Sequence, residues 1–187
     1  MPAQPARPGL APPPEIWYTE TEKGGENMND YFYASICLNG HCSDSCLSVP
    51  VAQERYCEHC GEKIITLCPN CRTAIRGRYD YGAENVLDFT DYNPPLYCYS
   101  CGKAFPWTQT ALDTAKELIE SDDKLSLDQR QKLIEILPDT IRETPKTPLA
   151  TARFQKAFKS VSRFTVDALR QFLIDFGCEY LKKTLNI

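Results

Sequence analysis

The chain has 187 residues, among them ten cysteines and two histidines, and carries a net charge of −4. Its length allows one domain or two small ones, and its acidic balance argues against a generally basic nucleic-acid binder. The first thirty residues lack a basic start followed by an apolar run, and no stretch approaches the roughly 18 apolar residues that span a membrane. We therefore expect a cytoplasmic protein, in whose reducing surroundings paired cysteines bind metal rather than form disulfides.

The N-terminal residues 1–27 are rich in proline and show no hydrophobic period, so we expect them to be disordered. Codons for Lys-Gly-Gly-Glu at residues 23–26 can spell a purine-rich ribosome-binding sequence at the right distance before the ATG of Met28. The sequence therefore favours translation that begins at Met28, with an ordinary flexible tail as the alternative. The intact mass of the protein from its native host distinguishes these two starts.

A β-rich segment is predicted over residues 28–107, and it contains three Cys-x-x-Cys pairs. Residues 31–36 are aromatic and β-prone, and residues 62–67 have the pattern of a short strand between two of the pairs. Two residues between cysteines let a tight turn, or knuckle, direct both thiolates at one metal ion. The three pairs are Cys57/Cys60, Cys68/Cys71 and Cys98/Cys101. With a further group of thiols and an imidazole upstream, they provide the four half-sites of a double zinc ribbon.

Pairing consecutive half-sites assigns the second zinc site to residues 68–101. All four of its ligands are thiolates, and they come from Cys68, Cys71, Cys98 and Cys101. The loop between the two pairs, residues 72–97, is long enough to form a hairpin. The sequence therefore predicts an all-cysteine site that closes the second ribbon.

The first zinc site, over residues 37–60, takes half of its ligands from Cys57 and Cys60. Cys37 is the first ligand of the other half. An Asn-Gly turn dipeptide lies between Cys37 and His41 and can bring the two side chains together, which favours His41 as the fourth ligand. The candidates for that fourth position are His41, Cys42 and Cys46.

Two other candidate ligands are expected to stay away from the metal. His59 lies inside a knuckle, where the side chain usually points outward into solvent. Cys178 lies far from the knuckles, on a helical segment, and is expected to be a small core residue.

Both zinc sites are predicted to be closed and structural, and we expect no enzymatic activity. A catalytic zinc keeps three protein ligands and a water, and it needs a nearby acid or base. The chain has only two histidines and shows no His-x-Glu, His-Glu-x-x-His, glycine-rich phosphate loop or Ser/His/Asp grouping. The ribbon region also has few large aliphatic residues. Metal binding, worth roughly 10–16 kcal/mol per structural zinc, is therefore expected to supply its folding energy.

These motifs resemble those of an uncharacterised bacterial family, a domain of unknown function with a double zinc ribbon followed by helices. The resemblance extends from about Tyr31 to the C-terminus, and the motifs that carry it are Cys37-Leu-Asn-Gly-His41, Tyr56-Cys57-Glu-His-Cys60-Gly61, Cys68-Pro-Asn-Cys71-Arg-Thr-Ala-Ile-Arg-Gly77 and Tyr97-Cys98-Tyr-Ser-Cys101-Gly102-Lys-Ala-Phe-Pro106-Trp107-Thr108. The resemblance implies a Cys-His pair in the first site and so supports His41. The chain departs from the family pattern by its extra thiols at Cys42 and Cys46. The family implies no particular activity.

The chain becomes helical after the second ribbon, and residues 108–187 are predicted to form a helical domain. A first helix is expected over residues 110–121, capped by Thr108 or Thr110. A second helix, over residues 126–137, opens with a Ser-Leu-Asp-Gln capping box and ends before a proline.

A third, long helix is predicted over residues 148–186, with Thr147 as its N-cap and Pro148 at its first position. Gly177 is its weakest point. One stripe of this helix is apolar: Phe154, Ala157, Phe158, Val161, Ala168, Leu169, Phe172 and Phe176. The opposite stripe is basic: Arg153, Lys156, Lys159, Arg163 and Arg170. Packing on the two preceding helices is the favoured interpretation, with self-association through the aromatic stripe, or docking on an anionic membrane or nucleic acid, as alternatives.

The sequence thus predicts an α+β protein with two zinc ions, which acts as a non-enzymatic adaptor or interaction module for a protein partner. Nucleic-acid binding is the first alternative. It rests on the loop of the second ribbon, where arginines alternate with aromatic residues: Arg72, Arg76, Arg78, Tyr79 and Tyr81. Residues 28–107 hold nine acids against six bases, which argues against it. Thiol or metal redox chemistry is the second alternative.

Overall fold

The computed structural model describes residues 30–51, 54–81 and 91–186. The predicted disorder of residues 1–27 and the predicted start at Met28 lie outside these residues. The described part of the chain is α+β, as predicted, with a small antiparallel sheet followed by helices.

The sheet is built around its first strand, β1 (Tyr31–Cys37). β2 (Cys42–Leu47) runs antiparallel along one side of it. β3 (Ile64–Ile65) pairs with the end of β1, and β4 (Arg76–Tyr79) pairs with its start. The predicted strand over residues 62–67 is therefore shorter than expected. The central strand ends at Cys37, so the sheet fixes the position of the first candidate ligand.

Five helices follow in the described residues: α1 (Pro106–Glu120), α2 (Leu127–Thr140), α3 (Thr147–Ala157), α4 (Arg163–Phe176) and α5 (Glu179–Leu185). The capping box predicted for α2 is present. The N–H of Gln129 donates to Ser126 Oγ over 3.3 Å, and the N–H of Ser126 donates to Gln129 Oε1 over 2.9 Å. These two bonds satisfy backbone donors that the first turn of a helix leaves unpaired.

Two predicted helix boundaries were wrong. α1 begins at Pro106, where the missing N–H of proline costs no helical hydrogen bond. Thr108 is thus no cap but a buried residue of the first turn, and its hydroxyl donates to the carbonyl of Leu96 over 2.8 Å. α2 continues through Pro138 to Thr140, and the proline disturbs only its last turn.

The prediction of one helix over residues 148–186 was also wrong, because the segment forms α3, α4 and α5. The first break is at Ser162, whose backbone is extended and whose Oγ accepts a hydrogen bond from the N–H of Thr165; Ser162 is therefore the N-cap of α4. The second break is at Gly177, predicted as the weakest point, which ends α4 with an extended backbone. The apolar pattern continues across both breaks because all three helices turn a face toward the same core.

The described residues form two hydrophobic cores. The helical core takes buried side chains from all five helices, with Ile119, Leu133, Phe154, Leu169 and Leu181 almost fully covered. This packing confirms the favoured interpretation of the apolar stripe, whereas self-association and docking of the tail stay predictions. The smaller sheet core consists of Ala34, Ile36, Cys68, Ile75, Cys98, Phe105 and Trp107. The division into a ribbon and a helical domain stays a prediction, since Phe176 packs against both cores.

The carboxylate of Asp122 joins the end of α1 to the start of α4. It accepts hydrogen bonds from the backbone N–H of Lys124 and of Ser162, each over 2.9 Å. The carbonyl of Asp122 accepts another from Arg130 Nη2 over 2.7 Å. Asp122 is buried, so these bonds replace the water that its charge would otherwise need. None of the described helices has the length and apolarity that crossing a bilayer requires.

Candidate metal centres

Four tight turns carry the candidate ligands, and three of them share one hydrogen-bond pattern. The N–H of the first cysteine donates to the carbonyl five residues later, and its own carbonyl accepts from the N–H four residues later, over 2.8–2.9 Å. These three knuckles begin at Cys57, Cys68 and Cys98. In the fourth turn, from Cys37 to His41, each of these two hydrogen bonds spans one residue fewer. The backbone hydrogen bonds alone therefore hold the candidate ligands in pairs.

Each turn reverses through a residue with positive φ. In the three knuckles these residues are Gly61 (φ 74°), Gly102 (φ 68°) and Arg72 (φ 65°), and in the short turn it is Gly40 (φ 89°). Glycine adopts this left-handed region freely, whereas a side chain makes it unfavourable. This explains why glycine follows two of the cysteine pairs, and it leaves Arg72 in a strained conformation.

The second cluster, formed by Cys68, Cys71, Cys98 and Cys101, is the more buried of the two. Its four sulfurs lie within 4.8 Å of one another. The Sγ atoms of Cys68 and Cys101 are 3.8 Å apart, and those of Cys71 and Cys98 are 3.6 Å apart. The structure thus brings together the four residues predicted for this site.

The first cluster consists of Cys37, His41, Cys57 and Cys60. His41 Nδ1 lies 3.5 Å from the sulfur of Cys37, 3.3 Å from that of Cys60 and 3.6 Å from that of Cys57. The sulfurs of Cys37 and Cys60 are 3.7 Å apart. His41 therefore occupies the fourth position among the three candidates, while ligation itself stays a prediction.

The remaining candidates lie outside both clusters. Cys42 and Cys46 are on β2, where the exposed Cys46 donates its backbone N–H to Asp44 Oδ1 over 2.8 Å. His59 is exposed, as expected of a knuckle histidine. Cys178 is buried, as expected, but it precedes α5 rather than lying within a helix, and its N–H donates to the carbonyl of Thr140.

The cysteines do not form disulfides in this structure, since all ten are free. Within the clusters the contacting sulfur pairs are 3.6–3.8 Å apart. A disulfide requires about 2.05 Å. The knuckles therefore hold separate sulfur atoms around a common centre.

Inner and outer thiols of each cluster differ in acidity. Burial raises the pKa of Cys37 and raises that of Cys68 to about 11. The backbone N–H of Glu62 lowers the pKa of the outer Cys60 to about 6. The hydroxyl and backbone N–H of Thr73 lower that of Cys71 to about 6. Cys60 and Cys71 thus become thiolates readily, whereas Cys37 and Cys68 need a cation to compensate for burial.

The three arginines predicted to lie in the loop of the second ribbon occupy different places. Arg72 is the residue with positive φ in its knuckle, and Arg76 and Arg78 lie on β4. The Arg76 guanidinium carbon lies 3.8 Å from the ring centroid of Tyr99 and 4.7 Å from that of Tyr31. Sequence reasoning missed Tyr99 in this stack, although its place inside the last knuckle was the signal available.

The fold and the two clusters define the class: a small α+β protein with two four-donor Cys/His sites that are compatible with structural metal binding. The chain belongs to the family described as an uncharacterized protein conserved in bacteria (DUF2321), which matches residues 30–185. This confirms the family resemblance of the motifs. No curated protein and no solved structure matches the chain.

Proposed function

We propose that both clusters hold zinc as a structural ion and that the protein is a non-enzymatic adaptor, whose metal-stabilised ribbons contact a protein partner. The observation that supports this most strongly is the spacing of the donor atoms. Tetrahedral zinc, with bonds of about 2.3 Å to sulfur and 2.0–2.1 Å to nitrogen, needs sulfurs about 3.8 Å apart and a sulfur–nitrogen distance of about 3.6 Å. The donor pairs in contact are 3.6–3.8 Å apart for two sulfurs and 3.3–3.6 Å for sulfur and nitrogen, and all donor atoms of a cluster lie within 4.8 Å of one another.

The number of donors favours a structural role over a catalytic one. Each cluster offers four protein ligands, which fills the tetrahedral coordination that zinc prefers and leaves no position for a reacting water. One of the two histidines in the chain is in the first cluster, and the other is exposed. The exposed ring of His59 has its centroid 5.6 Å from that of His41, but with four protein donors in the cluster there is no open metal position for a water that it could deprotonate.

An adaptor role follows from what the metals hold in place. The sheet core is small, and two of its seven buried members are the candidate ligands Cys68 and Cys98. Loops on such a scaffold are fixed by the metal and remain exposed, which suits them to recognise a partner. The family match carries no activity, so the partner has to be found by experiment.

The stacking of Arg76 between two tyrosine rings favours single-stranded nucleic acid as a second candidate. Each arginine that contacts a phosphate contributes about one unit to the slope of log affinity against log salt. Combined substitution of Arg72, Arg76 and Arg78 by alanine would then flatten the salt dependence while zinc stays bound. We expect weak binding instead, because acids outnumber bases in the ribbons and zinc-bound thiolates add negative charge.

Elemental analysis of protein purified without chelator tests the metal assignment. The expected value is two zinc ions per chain with no thiol that reacts freely inside the clusters. A value of one would show that the cluster over residues 37–60 is not a metal site. Reactive thiols with no bound metal would favour redox chemistry.

Affinity purification from the native host, with nuclease treatment, tests the adaptor assignment. A protein partner should be retained after the nuclease, and it should be lost when the metal is removed by a chelator. Retention of nucleic acid alone would favour the second candidate.

A further inference from the structure

Five side chains form a continuous row at the surface, here called the tyrosine surface, in which all but the half-buried Tyr31 are exposed: Tyr99, Arg76, Tyr31, Tyr79 and Tyr81. They come from three separate parts of the chain, namely β1, β4 with the residues just after it, and the last knuckle. Tyr79, Tyr81 and Tyr99 are 43%, 50% and 53% exposed. Single exposed apolar residues are ordinary, but a row of contacting aromatic side chains marks an interaction site.

Arg76 holds the row together. Its guanidinium lies between the rings of Tyr99 and Tyr31, at 3.8 Å and 4.7 Å from their centroids. The Tyr92 hydroxyl donates to the backbone carbonyl of Arg76 and so helps to hold the start of β4 in place. Tyr99 lies between the candidate ligands of the last knuckle, so the geometry of the second metal centre sets the position of one end of the surface.

The angles between the rings make this surface ridged rather than flat. The Tyr31 and Tyr79 rings are 5.2 Å apart and inclined at 86°, and the Tyr79 and Tyr81 rings are 4.8 Å apart and inclined at 60°. Nucleobases stack on open ring faces, which such edge contacts partly cover. A polyproline II helix instead docks its prolines in the shallow grooves that such inclined aromatic rings form at the surface.

Two acidic residues beside the row indicate that the ligand carries positive charge. Asp30 and Asp80 are exposed neighbours of Tyr31 and Tyr79, and the N–H of Asp80 donates to the carbonyl of Asp30 over 2.8 Å. Residues 28–107 carry three more acids than bases, and zinc-bound thiolates would add to this excess. The surface therefore attracts a basic ligand near Asp30, while the N–H groups of Arg76 suit the free carbonyls of a polyproline II backbone.

We propose that the tyrosine surface binds an extended, proline-rich segment of a partner protein that carries basic residues. This inference rests on the adaptor function and names the chemistry of the partner. The prolines pack in the shallow grooves on the outer side of the contacts among the rings of Tyr31, Tyr79 and Tyr81. A basic residue of the segment lies beside Asp30, and its backbone carbonyls face Arg76.

Fluorescence anisotropy with the full, zinc-loaded chain tests the proposal. The probe is a labelled peptide of four Arg-Pro-Pro repeats, which should bind. A peptide of four Arg-Gly-Gly repeats has the same charge without the polyproline II preference, and a peptide of four Glu-Pro-Pro repeats reverses the charge. Both should bind at least about tenfold more weakly. Tyr79→Ala and Tyr99→Ala should each weaken Arg-Pro-Pro binding about tenfold, since each removes an aromatic anchor.

Tyr180→Ala is the matched control, because Tyr180 is also exposed (45%) but lies on α5. It should bind the peptide like the wild type. Equal binding of the Arg-Pro-Pro and Arg-Gly-Gly peptides, or unchanged binding by both ring variants, would overturn the proposal. Tighter binding of oligothymidylate that the ring variants abolish would assign the surface to single-stranded nucleic acid.

Zinc content, measured on the same samples, separates this inference from the proposed function. Wild-type protein with two zinc ions and no affinity for the Arg-Pro-Pro peptide overturns only the inference. Protein without zinc that still binds the peptide overturns the metal assignment and keeps the inference. Protein with neither property overturns both.

Discussion

Gly40 lies directly against the indole of Trp107, so that a Cβ on Gly40 would be 3.1 Å from the Cβ of Trp107. Gly40 closes the short turn that carries His41, and it has φ 89°. Trp107 is the second residue of α1, and its Nε1 donates to the carbonyl of Pro95 over 3.1 Å. The first metal cluster is therefore packed against the start of the helical region.

Gly40→Ala should destabilise the protein and weaken metal binding at the first cluster. The positive φ alone costs an L-residue roughly 1–2 kcal/mol, and the new methyl group must also displace Trp107. Urea unfolding and zinc titration measure the two effects.

Gly61→Ala is the control for this experiment. Gly61 has φ 74°, but a Cβ there would meet nothing within 4 Å. It should therefore show the backbone cost without the steric one. If the two variants lose the same stability, the contact between Gly40 and Trp107 does not constrain the first cluster.

The knuckles were predictable because their chemistry is local. A Cys-x-x-Cys pair followed by glycine specifies a turn whose hydrogen bonds and positive φ are set within six residues. The helical breaks at Ser162 and Gly177 differ in this respect. Gly177 is visible as a weak helix former and Ser162 as a residue type that favours N-caps, but the N–H of Ser162 is also bound by Asp122, forty residues earlier. Such a partner cannot be read from local propensity.

The tyrosine surface was only partly predictable for the same reason. Arg76, Tyr79 and Tyr81 are close in sequence, and their alternation was visible. Tyr31 and Tyr99 reach them through strand pairing and through the closing of the second cluster. The sequence thus indicates the residue types of this site but not which distant rings complete it.

Arg72→Gly should stabilise the second ribbon by about 1 kcal/mol. Arg72 has φ 65° at the knuckle position where Gly61 and Gly102 stand in the others, and glycine relieves that strain. Thermal unfolding of the zinc-loaded protein measures the gain. Gly102→Ala, at the equivalent position of the last knuckle, should cost a similar amount. A loss of stability in Arg72→Gly would mean that the arginine side chain makes a contact that outweighs its backbone strain.

The candidate ligands should respond unequally to substitution. Cys98→Ser should remove one zinc and unfold the second ribbon, because a lost ligand leaves the buried Cys68 and the half-buried Cys71 and Cys101 without the cation that holds them together. His41→Ala should lower the zinc content of the first cluster. Cys46→Ser should retain both ions, since Cys46 is exposed and outside the clusters. Zinc loss in Cys46→Ser but not in His41→Ala would contradict the assignment of the first site.

Asp122→Asn should destabilise the helical region at neutral pH. Burial raises the pKa of Asp122, but hydrogen bonds from Ser162, Thr165 and Lys124 outweigh it and lower the pKa to about 2, below the ordinary 3.8. The ionised form is therefore favoured in the folded protein, by about 2 kcal/mol. The amide can accept one of the two backbone N–H groups but presents its own NH₂ to the other.

The pH dependence of this loss identifies its cause. A depressed pKa in the folded state gives stability that is complete above the unfolded value of 3.8 and declines as the pH falls through it toward 2. The difference in unfolding free energy between wild type and Asp122→Asn should thus be constant from about pH 7 to pH 5 and shrink below about pH 4. Urea unfolding followed by helical circular dichroism measures it. Asp123→Asn, at the exposed neighbouring position, controls for the loss of a charge and should differ little from wild type. If the difference in unfolding free energy does not shrink on acidification, the packing of the side chain, and not the charge of the carboxylate, joins α1 to α4.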